Sequence, residues 1–156
     1  MDVIDLAIIE SHQIKVMFYP QAWKDSQNFV LDWQIVDFPP DPRNLIPNSS
    51  GVYAFVVEPN LFSLVPANGL FYIGKATNLY QRIGAYISEL GKDFERSTRP
   101  HIWKMLNRWN GHFKYYYSTT DNVEQAEQFE EEMLKALRPP FNKQYDAVTS
   151  QVMRAF

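Results

Sequence analysis

The 156-residue chain contains no cysteine, so a disulfide framework and a thiolate metal site are both excluded and the fold must rest on packing. No apolar run approaches the ~20 residues that cross a bilayer, so no membrane association is expected. The opening Met1-Asp2-Val3-Ile4-Asp5 lacks the basic and apolar regions of a secretory signal, and a cytoplasmic location follows as the expectation. His12 and His112 have no partner at a spacing that suggests zinc. There is no internal repeat, no low-complexity tract, and no zinc-finger or helix-turn-helix pattern. Positive charge is not in excess either, because the net charge is −3.

What remains describes a folded globular protein. Hydrophobic residues make up 46% and aromatic residues 15%, enough for one substantial core in a chain of single-domain size. The charge is uneven. Residues 1–71 carry 3 basic and 8 acidic groups, residues 72–117 carry 8 and 3, and residues 118–137 carry 1 and 6. A local basic block of this kind can bind phosphates on an acidic protein.

The pattern along the chain predicts a small α/β (α+β) sandwich, with a central antiparallel sheet flanked by helices. Gln13 to Tyr19 and Phe29 to Phe38 are rich in β-branched and aromatic residues and read as strands of an N-terminal extension, residues 1–50. Pro39-Pro40-Asp41-Pro42 and Pro47-Asn48-Ser49-Ser50 then deliver the chain to a second region, residues 51–145. Gly51–Val57 and Leu70–Gly74 read as paired strands, Asn78 to Leu90 as a helix, Pro100 to Trp109 as a second helix, and Phe113 to Tyr117 as a third strand. Asp121 or Asn122 caps a helix that runs to about Leu137 and is stopped by Pro139 and Pro140. Residues 146–156 form a tail. The extension is expected to pack on the same domain; its role stays open.

Glu130 stands out on physical grounds alone. Val123, Ala126, Phe129, Met133, Leu134 and Leu137 form one apolar arc of the last helix, and Glu130 is the acid that falls inside it. A carboxylate there needs a partner or a metal. An ion pair with Arg82 and service as sole protein ligand of a hydrated Mg²⁺ both answer that need. Arg82 offers a planar guanidinium suited to two phosphate oxygens. Tyr53 and Tyr72 lie in strands beside Gly51 and Gly74, where close approach of another group is possible. A second basic set comprises Lys92, Arg96, Arg99, His101, Lys104 and Arg108. His101, Lys104 and Arg108 lie opposite the apolar Ile102, Met105, Leu106 and Trp109, so they are expected to be exposed. They read either as a solvated face or as a phosphate track that Arg96 and Arg99 extend.

The ordered set Gly51, Tyr53, Tyr72, Gly74, Lys75, Arg82, Tyr86, Glu130 and Asn142 resembles the GIY-YIG nuclease family, and the resemblance covers roughly Gly51 to Gln144. The loop of 18 residues between Tyr53 and Tyr72 is longer than in compact members of that family. The resemblance implies a metal-dependent DNA endonuclease that uses Mg²⁺ (or Mn²⁺) held by Glu130. It further implies Tyr53 as general base, Lys75 as the cation favouring its phenolate, and Arg82 as stabiliser of charge on the phosphate. Tyr72 and Tyr86 would line and position, while Gly51, Gly74 and Asn142 would support. Double-stranded DNA is the expected partner, with specificity supplied by the extension, the loops, a homo-oligomer or a protein partner. The competing expectation is a catalytically silent nucleic-acid- or protein-binding module on the same fold.

Overall fold

The computed structural model describes residues 17–26, 31–58, 61–64, 69–139 and 141–142. Its centre is a four-stranded antiparallel sheet in the order β2-β5-β3-β4, formed by β2 (Gln34–Asp37), β3 (Gly51–Val57), β4 (Gly69–Ala76) and β5 (Phe113–Thr119). Helices α2 (Leu79–Leu90) and α3 (Pro100–Arg108) lie on one face, and α4 (Val123–Ala136) lies on the other. A separate two-stranded ribbon pairs β1 (Met17–Phe18) with β6 (Leu137–Arg138), and α1 (Pro20–Asp25) follows β1. Among the described residues no helix is long and apolar enough to cross a membrane.

The apolar pattern of β3 explains its central place. Nearly all of its residues are buried, as expected of a strand covered on both faces rather than one. Tyr53, Phe55 and Val57 face the α2–α3 layer, where they meet Phe71, Ile83, Tyr86, Met105 and Tyr115. Val52 points the other way, to Ala126 and Phe129 of α4. Strand alternation thus divides one segment between two cores. Asn78 caps α2 by accepting from Gln81 N at 3.0 Å, and Asn122 caps α4 by accepting from Gln125 N at 2.8 Å. Pro100 opens α3, where its missing N–H costs nothing.

The extension departs from expectation in detail. Residues 13–16 and 29–30 lie outside the described residues. The first expected strand holds over Met17–Phe18 and gives way at Pro20 to α1, a helix the strand-like composition had hidden. The second is a strand only over Gln34–Asp37, whose register places Val36 opposite Tyr115 and adds it to the sheet as an edge. Residues 34–37 therefore belong to the same sheet as the signature strands.

The opposite edge, β4, is closed by a side chain. Asn142 is buried and holds both backbone groups of Ile73: Ile73 N donates to its Oδ1 at 3.0 Å, and its Nδ2 donates to Ile73 O at 2.7 Å. Phe141 N donates to Phe71 O at 3.0 Å beside it. The amide thus imitates a fifth strand for one residue. Asn142→Ala should leave a buried N–H and C=O unpaired and lower stability by about 2–4 kcal/mol. Chemical denaturation of the variant tests this, with loss of the transition's midpoint and no change in its slope as the expected result.

Candidate active site

The edge left open beyond Ile73 is one wall of a cleft of about 450 Å³. Gly74, Lys75 and Ala76 of β4 form its floor, Gln81, Arg82 and Ala85 of α2 one side, and Val123, Ala126, Glu127 and Glu130 of α4 the other. Tyr53 and Tyr72 reach it from the sheet. Residues far apart in sequence meet here because α2 and α4 cover opposite faces of a sheet whose edge strand they both overhang.

Tyr53 is the anchor. Its side chain has no exposed surface, its hydroxyl lies 2.5 Å from the Tyr86 hydroxyl, and Arg82 Nε donates to it at 3.2 Å. Its ring stacks against Tyr72 and Tyr115, with centroids 6.2 and 5.8 Å away. A Cβ added at Gly74 would collide with the Tyr53 phenol, and one added at Gly51 would meet Ser118 O and Leu79. These two glycines are clearance for specific neighbours.

The electrostatics follow from burial. Burial, reinforced by Tyr86 and Tyr72, raises the Tyr53 phenol well above its ordinary range, and Arg82 opposes that shift. Tyr72 is pushed up to about 12, first by burial and then by Tyr86, while Arg99 pulls it down. Arg82 is held protonated chiefly by the charge of the Tyr53 phenolate it would face. Its Nε is engaged by Tyr53, and among the described residues the two Nη groups remain for another acceptor. Glu130 is half-buried on the opposite wall, and burial raises its carboxyl above the ordinary carboxylate value. The charge and backbone N–H of Lys75 work against that rise.

Several placements differ from those read in the sequence. Glu130 forms no ion pair with Arg82 among the described residues. Lys75 is exposed and pairs with Glu127 at 3.4 Å, and the cation acting on Tyr53 is Arg82. The reason is strand alternation, which directs Lys75 away from the neighbouring tyrosines and toward α4. The basic set 92–108 does not form one exposed track. Arg108 is exposed and Arg96 projects to solvent beside Asp93 at 3.9 Å, but His101 and Lys104 are half-buried. Lys104 Nζ lies 5.8 Å from the Phe94 ring centroid, because the 3₁₀ turn Phe94–Arg96 folds over that face of α3. Lys92 is bound to Glu89 at 2.9 Å. Arg99 turns inward, with its guanidinium carbon 5.4 Å from the Tyr86 ring centroid.

Two participants escaped the sequence. Tyr115 backs the Tyr53 ring, and its buried hydroxyl has no hydrogen-bond partner among the described residues. Glu89 is buried in α2, on the flank of the apolar arc seven residues after Arg82. The i, i+7 spacing was the available signal.

What the cleft can hold is constrained by its donors. Among the described residues there is no group of three or more His, Cys, Asp or Glu side chains suited to a metal. Its two carboxylates are Glu127, paired with Lys75, and Glu130, which has no salt bridge among the described residues. One carboxylate facing open space fits a hard cation that keeps most of its water, such as Mg²⁺ or Mn²⁺, and does not fit zinc.

A model of the GIY-YIG catalytic domain matches residues 50–146 of the chain. Among solved structures, the chain is similar to two tyrosine-to-phenylalanine point mutants of the GIY-YIG N-terminal endonuclease domain of UvrC from Thermotoga maritima, each bound to its catalytic divalent cation. Both show 20% identity and a TM-score of 0.46, over 65% of this chain and 92% and 91% of theirs. An asparagine-to-alanine mutant of that domain matches equally, over 91% of its length. No curated protein matches.

The Gly74 clearance makes a direct test. Gly74→Ala should force the Tyr53 ring aside and cost about 1–3 kcal/mol through overpacking. Combining it with Tyr53→Ala, which removes the obstruction, should make the two losses less than additive. Full additivity in a double-mutant cycle would mean that the two positions do not meet.

Proposed function

Because the chain belongs to the GIY-YIG nuclease family, we propose that its cleft hydrolyses phosphodiester bonds of double-stranded DNA with the help of one divalent cation, Mg²⁺ or Mn²⁺. The observation that carries this reading is the convergence of Arg82, Tyr53 and Glu130 on one cleft from three separate elements. We assign the activity to residues 51–145, with residues 1–50 as an extension that contributes β2 to the sheet.

The placement of each side chain supports the following roles. Arg82, with its Nη groups unengaged among the described residues, holds the scissile phosphate and neutralises the charge that gathers on its oxygens. Tyr53 accepts the proton of the attacking water, oriented by Tyr86 on one side and Arg82 on the other. Tyr72 shapes the entrance to that pair, and Lys75 with Glu127 forms the rim. Glu130 would hold the cation, which when bound supplies Lewis-acid stabilisation of the leaving oxygen. Asn142 keeps the β4 edge in place, so the floor of the cleft does not shift.

Burial of Tyr53 has a kinetic consequence. Its phenolate is scarce at neutral pH, so the cleavage rate should climb with pH above 7 and show no plateau at the ordinary tyrosine value of 10.0. Tyr53→Phe should abolish that rise. A flat profile in the parent protein would exclude Tyr53 as the proton acceptor.

Glu130 ties function to stability with a definite sign. Its carboxyl is raised in the folded state, so the fold binds the proton more tightly than the unfolded chain. The ionised form therefore weakens the fold at pH values above the raised value, and this cost disappears as the pH falls below the ordinary value of 4.5. Glu130→Gln should accordingly raise the melting temperature at pH 7 without metal, and the gain should vanish in acid. The same substitution should abolish Mg²⁺-dependent nicking of supercoiled plasmid while duplex binding persists. Wild-type cleavage by Glu130→Gln would overturn the assignment.

Arg82→Lys separates charge from geometry. It keeps the cation and loses the paired donors, so the rate should drop about 10² or more. The measurement is single-turnover cleavage at saturating protein, where a binding defect cannot account for the loss.

A further inference from the structure

A second guanidinium reaches the tyrosine cluster from a segment outside the family's signature positions. The connection from α2 to α3 is tied down by Glu89, whose buried carboxylate accepts from Ser97 Oγ at 2.7 Å and from Lys92 Nζ at 2.9 Å. Ser97 Oγ in turn accepts from Arg99 N at 3.1 Å, and Trp103 Nε1 donates to Lys92 O at 2.8 Å. Burial works against the Glu89 charge, yet these donors and the charges of Lys92 and Arg99 prevail and its carboxyl is lowered. The latch is therefore ionised at neutral pH.

The latch aims Arg99 inward. Its guanidinium carbon lies 5.4 Å from the Tyr86 ring centroid, and that of Arg82 lies 5.7 Å from the same ring. Among the described residues neither arginine has a carboxylate within salt-bridge distance. Arg99 is hydrogen-bonded to the hydroxyls of Tyr86 and Tyr72, which are neutral partners, and the two cations at one aromatic ring still repel each other. Both remain charged at any working pH. An anion between or beside them would relieve the repulsion, and no carboxylate among the described residues lies within salt-bridge distance to do so. Arg99 is not part of the cleft wall formed by Arg82 and Glu130. An anion held by Arg99 would therefore lie beside one held by Arg82, not at the same place.

Resting on the nuclease reading above, we propose that Arg99 binds a second backbone phosphate of the DNA, next to the scissile one on Arg82, and that the Glu89–Ser97 latch seats it there. Arg99 is thus a substrate-binding residue, and Glu89 and Ser97 are positioning residues. The pairing sets where along the strand the cut falls, since two fixed phosphate sites define a register that one does not.

The test uses the full chain carrying Glu130→Gln, so that binding is read without cleavage. A labelled duplex is titrated by fluorescence anisotropy over a range of KCl concentrations. Adding Arg99→Ala should weaken binding roughly tenfold. It should also reduce the salt slope of log affinity by about one contact. Arg99→Lys should keep the slope, because the charge remains. Ser97→Ala, a milder change to the latch, should weaken binding with Arg99 still present, by less than the loss of Arg99 itself. If Arg99→Ala destabilises the protein, Arg99→Gln supplies the same comparison with the stem retained. A folded Arg99→Ala or Arg99→Gln protein with unchanged affinity and slope would overturn the proposal while leaving the nuclease reading intact. Failure of the Glu130→Gln protein itself to bind duplex would overturn both.

Discussion

The arrangement depends on the Tyr53 ring lying against Gly74. That contact brings a phenol from the central strand over the edge strand, where its hydroxyl meets Arg82 and Tyr86 of α2. Without it the cleft would have walls but no group to join the sheet to the helix. The ring is fully buried and packs against four other aromatic rings, those of Phe55, Tyr72, Tyr86 and Tyr115, so its hydroxyl is held in place by packing. The same burial disfavours its ionisation, and Arg82 is the counterweight. Rigidity and reluctance to lose a proton thus have one physical source.

The opposite wall works by another principle. Glu130 stands on a helix packed through Ala126 and Phe129, and its half-burial raises the carboxyl rather than pairing it. A protein selected for stability alone would place Gln or an apolar residue there. A carboxylate and a guanidinium facing each other across open space, neither in a salt bridge among the described residues, are suited to a cation and an anionic ester between them. Two stretches of the free edge of β4 matter to this. Asn142 closes the part that must not move, and the stretch from Gly74 to Ala76 remains open to the cleft.

Much of this was legible in the sequence because local rules and global fold agreed. The apolar run of Gly51–Val57, the Asn caps at 78 and 122, and Pro100 at a helix start each specify their element without help from distant residues. Glu130 declared itself by breaking an apolar arc. The illegible parts depend on tertiary context. Lys75 has the right charge and lies three residues from Tyr72, but strand alternation sends it to Glu127. Arg99 looked like one more member of a basic surface until the Glu89 latch turned it inward, and no periodicity encodes a latch that bridges eight residues of irregular chain. Residues 20–25 carried too little helical pattern to compete with the strand-forming residues before them.

Dependence of the cleavage rate on metal concentration tests the central claim most directly. A cleft in which Glu130 is the one carboxylate without a salt bridge among the described residues should take one cation. The initial rate of plasmid nicking by the full chain should therefore rise from nothing in chelator to a plateau along a single-site curve as Mg²⁺ is added. Cleavage that persists in chelator, or a rate that rises with the square of the metal concentration, would contradict it.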